Sequence, residues 1–157
     1  MRIHPTPDPD LRAFAVAPNT MVAWLRHVES LPTLSLDGVW RDLDAILGEA
    51  PSSPSPSPLA PGGADISFPE IGEVHAHGIF SGSTEELLKA VSEVDRRDVE
   101  GYLRQRWSAE HAAIDEGDDA DTPPLGVITE DLLLALGRLK ETLTVAVAKG
   151  FGLLMVL

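Results

Sequence analysis

Ser35-Leu36-Asp37-Gly38-Val39-Trp40-Arg41-Asp42-Leu43-Asp44-Ala45-Ile46-Leu47 is the stretch on which the fold turns. Its apolar residues are Leu36, Val39, Trp40, Leu43, Ile46 and Leu47. Their spacing draws one stripe on a spiral of about 3.6 residues per turn. Arg41, Asp42, Asp44 and Glu49 fall off that stripe. The pattern predicts a helix that begins near Ser35-Leu36-Asp37 and ends around Gly48. A stripe of this kind has to be buried, so the chain must build a packed core.

Upstream, Pro18-Asn19-Thr20 marks a second helix start, with Met21, Trp24, Leu25 and Val28 following and Pro32 as the stop. Leu11 to Ala17 alternates as a strand would, Leu11, Ala13, Ala15 and Ala17 against Phe14 and Val16. Residues 1–10 interleave prolines with polar side chains and read as an extended, loosely held arm.

Downstream, residues 51–64 are rich in proline, serine and glycine. Such composition predicts an extended or disordered insertion loop that acts as a spacer; a PxxP ligand is the other use of such a segment. Val74 to Phe80 then reads as a strand. Ser83-Thr84-Glu85-Glu86 has the form of a capping box ahead of Leu87, Leu88, Val91 and Val94. Asp95 opens a further helix through Val99, Tyr102 and Leu103, and Trp107-Ser108-Ala109-Glu110 reads as the start of another short one. Thr129 caps a long helix with Leu132, Leu136, Leu139 and Leu143 in line, which Gly150 ends. Phe151 to Leu157 is too apolar for an open sheet edge and belongs inside a sheet. The expected fold is therefore α+β. It is a single domain over residues 1–157, with a small mixed β-sheet packed against several helices and the C-terminal strand within the sheet. A chain of 157 residues is about one domain in length.

Composition narrows the function. Asp and Glu number 25 against 12 Lys and Arg, a formal net charge of −13. A field of that sign repels phosphate backbones and anionic headgroups, so nucleic acid and membrane are poor partners and basic proteins and cations are better ones; the plainer reading is that the charge serves solubility alone. With no cysteine, disulfides, thiolate chemistry and Cys-ligated zinc are excluded. Arg2 is followed by prolines and aspartates rather than an apolar leader, and Leu132 to Leu157 is broken by Arg138, Lys140, Glu141 and Lys149. These features suit a cytoplasmic protein.

The order of segments resembles the YfbM-like bacterial proteins, a family of unknown function. The similar stretches are Phe14-Ala15-Val16-Ala17-Pro18 with its helix, Ser35 to Leu47, Gly78 through Ser83-Thr84-Glu85-Glu86-Leu87 to Leu103, and Gly150 to Leu157. The resemblance spans nearly the whole chain apart from the Pro/Ser loop. It implies a compact α/β domain and brings no catalytic residues. The chain departs from the family between Ile114 and Pro124, where relatives often carry aromatics and a Tyr-Pro pair and this sequence is acidic.

Two groups could hold a cation. His75 and His77 lie two apart in an expected strand and so share a face, with Glu73 on the same side as a third zinc ligand. Asp115, Asp118, Asp119 and Asp121 form an acidic loop, but the glycine and closing glutamate of an EF-hand are missing. Both have plainer readings, a chance pair of histidines and a solvated loop. No G-x-S-x-G elbow or phosphate-binding glycine loop is present, Ser81, Ser83 and His111 are scattered, and Glu110 and Asp115 beside His111 read as ordinary helix-surface neighbours. Trp24, Trp40 and Trp107 read as core anchors. Nothing in the residues calls for a cofactor. The expectation is a non-enzymatic, acidic protein-interaction module, one form of which is an immunity-type inhibitor of a basic toxin. The alternatives are a metal-assisted hydrolase built on His75 and His77, and a carrier with an apolar pocket between sheet and helices.

Overall fold

The structure, a computed structural model, describes residues 1–28, 33–53, 56–113 and 125–157, with the side chains of 107–113 and 125 left aside. It is a single α+β domain in three layers. Among the described residues five strands form the middle layer: β1 (Arg2–Pro7), β2 (Leu34–Ser35), β3 (Ile66–Ser67), β4 (Ala76–Ile79) and β5 (Phe151–Val156). Their order is β2-β1-β5-β4-β3, so the C-terminal strand is central, as its apolar run requires. Every pairing is antiparallel, and the sheet is not mixed. Strand direction depends on where each connection enters the sheet, which residue spacing does not encode.

Among the described residues six helices cover the two faces: α1 (Asp8–Val16), α2 (Pro18–Val28), α3 (Trp40–Gly48), α4 (Ser81–Glu93), α5 (Arg96–Ala113) and α6 (Leu125–Lys149). Alternation along the strands sorts the core into two. Ile3, Ile79, Leu153 and Met155 point into the larger cluster with Leu43 and Leu47 of α3, Leu87 and Val91 of α4, Val99 of α5, and Leu132, Leu139 and Leu143 of α6. Ala76 and Leu154 point the other way, to Leu11 and Phe14 of α1 and Met21 of α2. The sheet is thus buried on both faces.

Three sequence expectations give way at the N-terminal half. Residues 1–10 are not a loose arm: Arg2 to Pro7 pairs with β5 along its whole length, from Arg2 opposite Val156 to Pro7 opposite Phe151. Pro5 and Pro7 sit where β1 has lost its β2 partner, so a missing N–H need not break a ladder there. Leu11 to Ala17 is helix rather than strand. Asp8, Pro9 and Asp10 supply a favourable first turn, alanine favours helix, and the buried pair is Leu11 and Phe14, three apart. The signature helix starts late. Leu34 and Ser35 pair with β1, Gly38 takes φ 83°, and α3 begins only at Trp40. A positive φ cannot continue a right-handed helix. The stripe itself packs as read, with Leu36, Leu43, Ile46 and Leu47 all buried.

The helix starts are also reassigned. α4 begins at Ser81, ahead of Ser83, and its first turn is capped from another element. The Asp8 carboxylate accepts from the Ser81 amide at 2.9 Å and from Ser81 Oγ at 2.8 Å. Asp95 caps α5 as expected: its Oδ1 accepts from the Arg97 amide at 2.7 Å, while Asp98 Oδ2 accepts from the Asp95 amide at 2.8 Å. α5 runs on through Trp107, which opens no separate helix, and α6 begins at Leu125, a turn before Thr129. Gly150 ends α6 with φ 64°. α1 lies close on the sheet because β4 and β5 present glycines to it. A Cβ on Gly152 would fall 2.9 Å from Leu11 Cδ1, and one on Gly78 would fall 3.2 Å from Leu11 Cδ2.

Within residues 51–64 the described part is not a bare spacer. Leu59 is fully buried in the larger core, Ser52 is hydrogen-bonded to Glu93, and Pro61–Gly63 makes a single 3-10 turn. Among the described residues no helix is long and apolar enough to cross a membrane.

Candidate functional site

The two histidines singled out from the sequence meet opposite fates. His75 lies just before β4 and is exposed; its Nε2 is 2.8 Å from Glu70 Oε1. Glu73, expected beside it, falls in the turn that joins β3 to β4 and is exposed. His77 is 2% exposed in β4, on the face that looks into the larger core. Neither of its ring nitrogens has a hydrogen-bond partner in bonding geometry. Burial holds its pKa below the usual histidine value, and the nearby Leu59 backbone and Asp44 carboxylate pull the other way without prevailing. Asp44 Oδ1 is itself buried and unpartnered. Among the described residues no group of three or more His, Cys, Asp and Glu side chains is placed to hold a metal ion.

Asp115, Asp118, Asp119 and Asp121 lie outside the described residues, and the side chains of Trp107, Glu110 and His111 are likewise outside them. Ser81 is committed to Asp8, and Ser83 sits within α4. Trp24 does serve the smaller core, its ring 5.5 Å from Phe14 and 5.8 Å from His4. Trp40 is half-buried against the larger core, with the Arg41 guanidinium 5.4 Å over its ring.

One acidic concavity among the described residues is not announced by the sequence. A groove of about 390 Å³ runs between the end of α3, the end of α4 and the first turns of α5. Ile46, Ala50 and Val94 make its apolar floor, and Glu49, Glu93 and Asp98 face it against one cation, Arg97. Two of the carboxylates are held in place. Glu93 accepts from Ser52 Oγ at 2.6 Å and from the Ser52 amide at 2.9 Å, and this bonding lowers its pKa. Asp98 is fixed by the Asp95 cap. The chain's single tyrosine, Tyr102, lines the groove and donates to Asp42 Oδ1 at 2.9 Å. Its pKa is raised by burial first and then by Asp42. Arg106 engages the same Asp42 oxygen. Fixed carboxylates over an apolar floor suit a cationic side chain with a long aliphatic stem. Among the described residues that line the groove, none is arranged as a nucleophile beside a base. Its acids come from the ends of three elements, so only the fold brings them together; the sequence marks Asp95 as a helix opener but does not single out Glu49, Glu93 or Asp98. No family model, curated protein or solved structure matches this chain.

Proposed function

We propose that this protein is a non-enzymatic acidic interaction module whose partner is a basic protein segment seated in the groove between α3, α4 and α5. The observation that carries the reading is the set of three carboxylates over an apolar floor, two of them anchored. The net charge of −13 supports it by drawing a cationic partner in over a Debye length of about 8 Å. An immunity-type inhibitor of a basic toxin is one form of this function. The metal-assisted hydrolase draws less support, since His75 is paired with Glu70 at the surface and His77 is buried. A cytoplasmic location and kinship with the YfbM-like proteins belong to the same proposal; neither assigns a residue role.

The test is a titration of a short oligo-arginine peptide into the labelled protein, followed by amide NMR shifts. Shifts should centre on Ile46, Ala50, Val94 and Tyr102. The affinity should fall steeply with salt and should weaken in a Glu49→Gln/Asp98→Asn double variant. Shifts spread over the whole surface, or an affinity indifferent to those substitutions, would overturn the assignment.

A further inference from the structure

A second concavity, on the opposite face of the sheet, has the reverse electrostatics. β1 alternates, so that Ile3 goes to the larger core while Arg2, His4 and Thr6 face the layer of α1 and α2. That layer does not cover the β1–β2 edge. Between α2 and the sheet it leaves a pocket of about 500 Å³. Its apolar wall is Val22 and Leu25 of α2 with Val74 and Val156, and its polar groups are Arg2, His4, Arg26, Thr33 and Ser35. In a chain with twice as many acids as bases, this lining contains two guanidiniums and an imidazole and, among the described residues, no carboxylate.

Some arginines of the chain are committed to carboxylates, while others, such as Arg12 over Phe80 and Arg41 over Trp40, are not. Arg96, Arg104 and Arg106 each engage a carboxylate. Among the described residues, no ion pair or side-chain hydrogen bond is made by Arg2 or Arg26. Arg2 exerts a field on Asp37, but that carboxylate is 74% exposed and does not line the pocket. Inside, His4 is 8% exposed, and burial and then the Arg2 charge disfavour its protonation. Among the described residues the site therefore sets two guanidiniums, neither in an ion pair, beside an aliphatic wall, in a volume within the usual range of small-molecule pockets, roughly 300–1,000 Å³.

We infer that this pocket binds a small organic oxyanion with an aliphatic body, its carboxylate or phosphate head between Arg2 and Arg26 and its tail against Val22, Leu25, Val74 and Val156. Guanidiniums present paired N–H donors that match either head group. Ser35, at the β2 edge of the lining, is committed elsewhere, its hydroxyl donating to Asp37 Oδ2 at 2.6 Å, so the head group rests on the two guanidiniums. The site is independent of the acidic groove, and either can fail without the other.

Calorimetric titrations with octanoate, octyl phosphate, octylamine and inorganic phosphate test the inference. Octanoate or octyl phosphate should bind one to one, and whichever is tighter identifies the head group. Octylamine should not bind, and inorganic phosphate should bind far more weakly because it leaves the wall empty. An Arg2→Gln/Arg26→Gln variant, whose thermal unfolding should match the parent because both side chains are exposed, should lose at least about tenfold in affinity. Val22→Trp, which fills the pocket without touching charge, should abolish binding while Glu49→Gln leaves it intact. Absence of binding by both octyl anions, equal binding of octylamine, or full affinity in the double arginine variant would overturn the inference.

Discussion

Replacing His77 by leucine should stabilise the protein, against the usual direction for a buried substitution. His77 is 2% exposed, and both ring nitrogens lack partners. A buried polar group without a hydrogen bond costs about 1–3 kcal/mol. Leucine removes two such atoms, and the change of shape in a packed core returns up to about 1.5 kcal/mol of that. The net expectation is a gain of about 1–2 kcal/mol near pH 7.5, which raises the Tm by roughly 2–8 °C for a chain of this size. The pH dependence is a second readout. Burial holds the folded-state pKa of His77 below the usual value of 6.5. The unfolded chain therefore takes up a proton first as the pH falls, and stability is lost below about pH 6.5. His4 acts in the same direction. Each such group can cost up to about 1.4 kcal/mol per pH unit in the window between its two pKa values. His77→Leu removes one of the two, so its advantage should widen between about pH 7.5 and pH 5.5 by as much as that amount. Urea unfolding followed by far-UV circular dichroism at both pH values measures it. A variant less stable than the parent by more than about 1 kcal/mol at the higher pH would show that the imidazole is satisfied in the fold. An advantage that shrinks on acidification would reverse the sign of the pKa argument.

Three further substitutions probe how the layers are joined. Asp8→Ala removes the carboxylate that caps α4 from outside, and should cost about 1–2 kcal/mol in thermal or urea unfolding; a loss below about 0.3 kcal/mol would mean that Ser81 caps the helix unaided. Gly152→Ala would set a Cβ 2.2 Å from the Ile79 carbonyl oxygen, so β4 and β5 must separate. The expected cost is about 1–3 kcal/mol in the same assay, and a neutral result would show that the strands are more loosely paired than their register implies. Leu59→Ala should cost about 2–5 kcal/mol despite its place in the Pro/Ser segment, since the side chain is fully buried. A loss below about 0.5 kcal/mol would return that segment to the role of spacer.

Legibility followed the length scale of each interaction. The stripes of α3, α4 and α6 were readable because a helix repeats its contact every three or four residues, and the buried Leu43, Leu87, Leu132, Leu139 and Leu143 fall where that repeat puts them. The inner place of β5 was readable because seven residues without a charge cannot face water on a sheet edge. Residues 1–17 depart from their local pattern for the converse reason. Alternation in an alanine-rich run suits strand or helix alike, and the prolines of β1 suggest a loose arm until β5 is seen beside them. The same holds for the sites. His75 and His77 look equivalent in the sequence, yet one ends at the surface and one beneath Leu59, because the strand begins between them at Ala76. The groove joins Glu49 to Glu93 and Asp98, and the pocket joins Arg2 and His4 to Arg26, across stretches of chain that no local pattern spans.

The amino-acid sequence alone settled that this chain forms a single α+β domain with apolar helix stripes, an enclosed C-terminal strand and a large excess of negative charge. These properties are sums or short-range periodicities, carried by neighbouring residues. Tertiary structure decided the strand order, the capping of α4 by Asp8, the burial of His77 and the sorting of acids to one groove and arginines to another pocket. Each of those depends on which surfaces close together when two cores form on opposite sides of one sheet, a choice made by the whole chain at once.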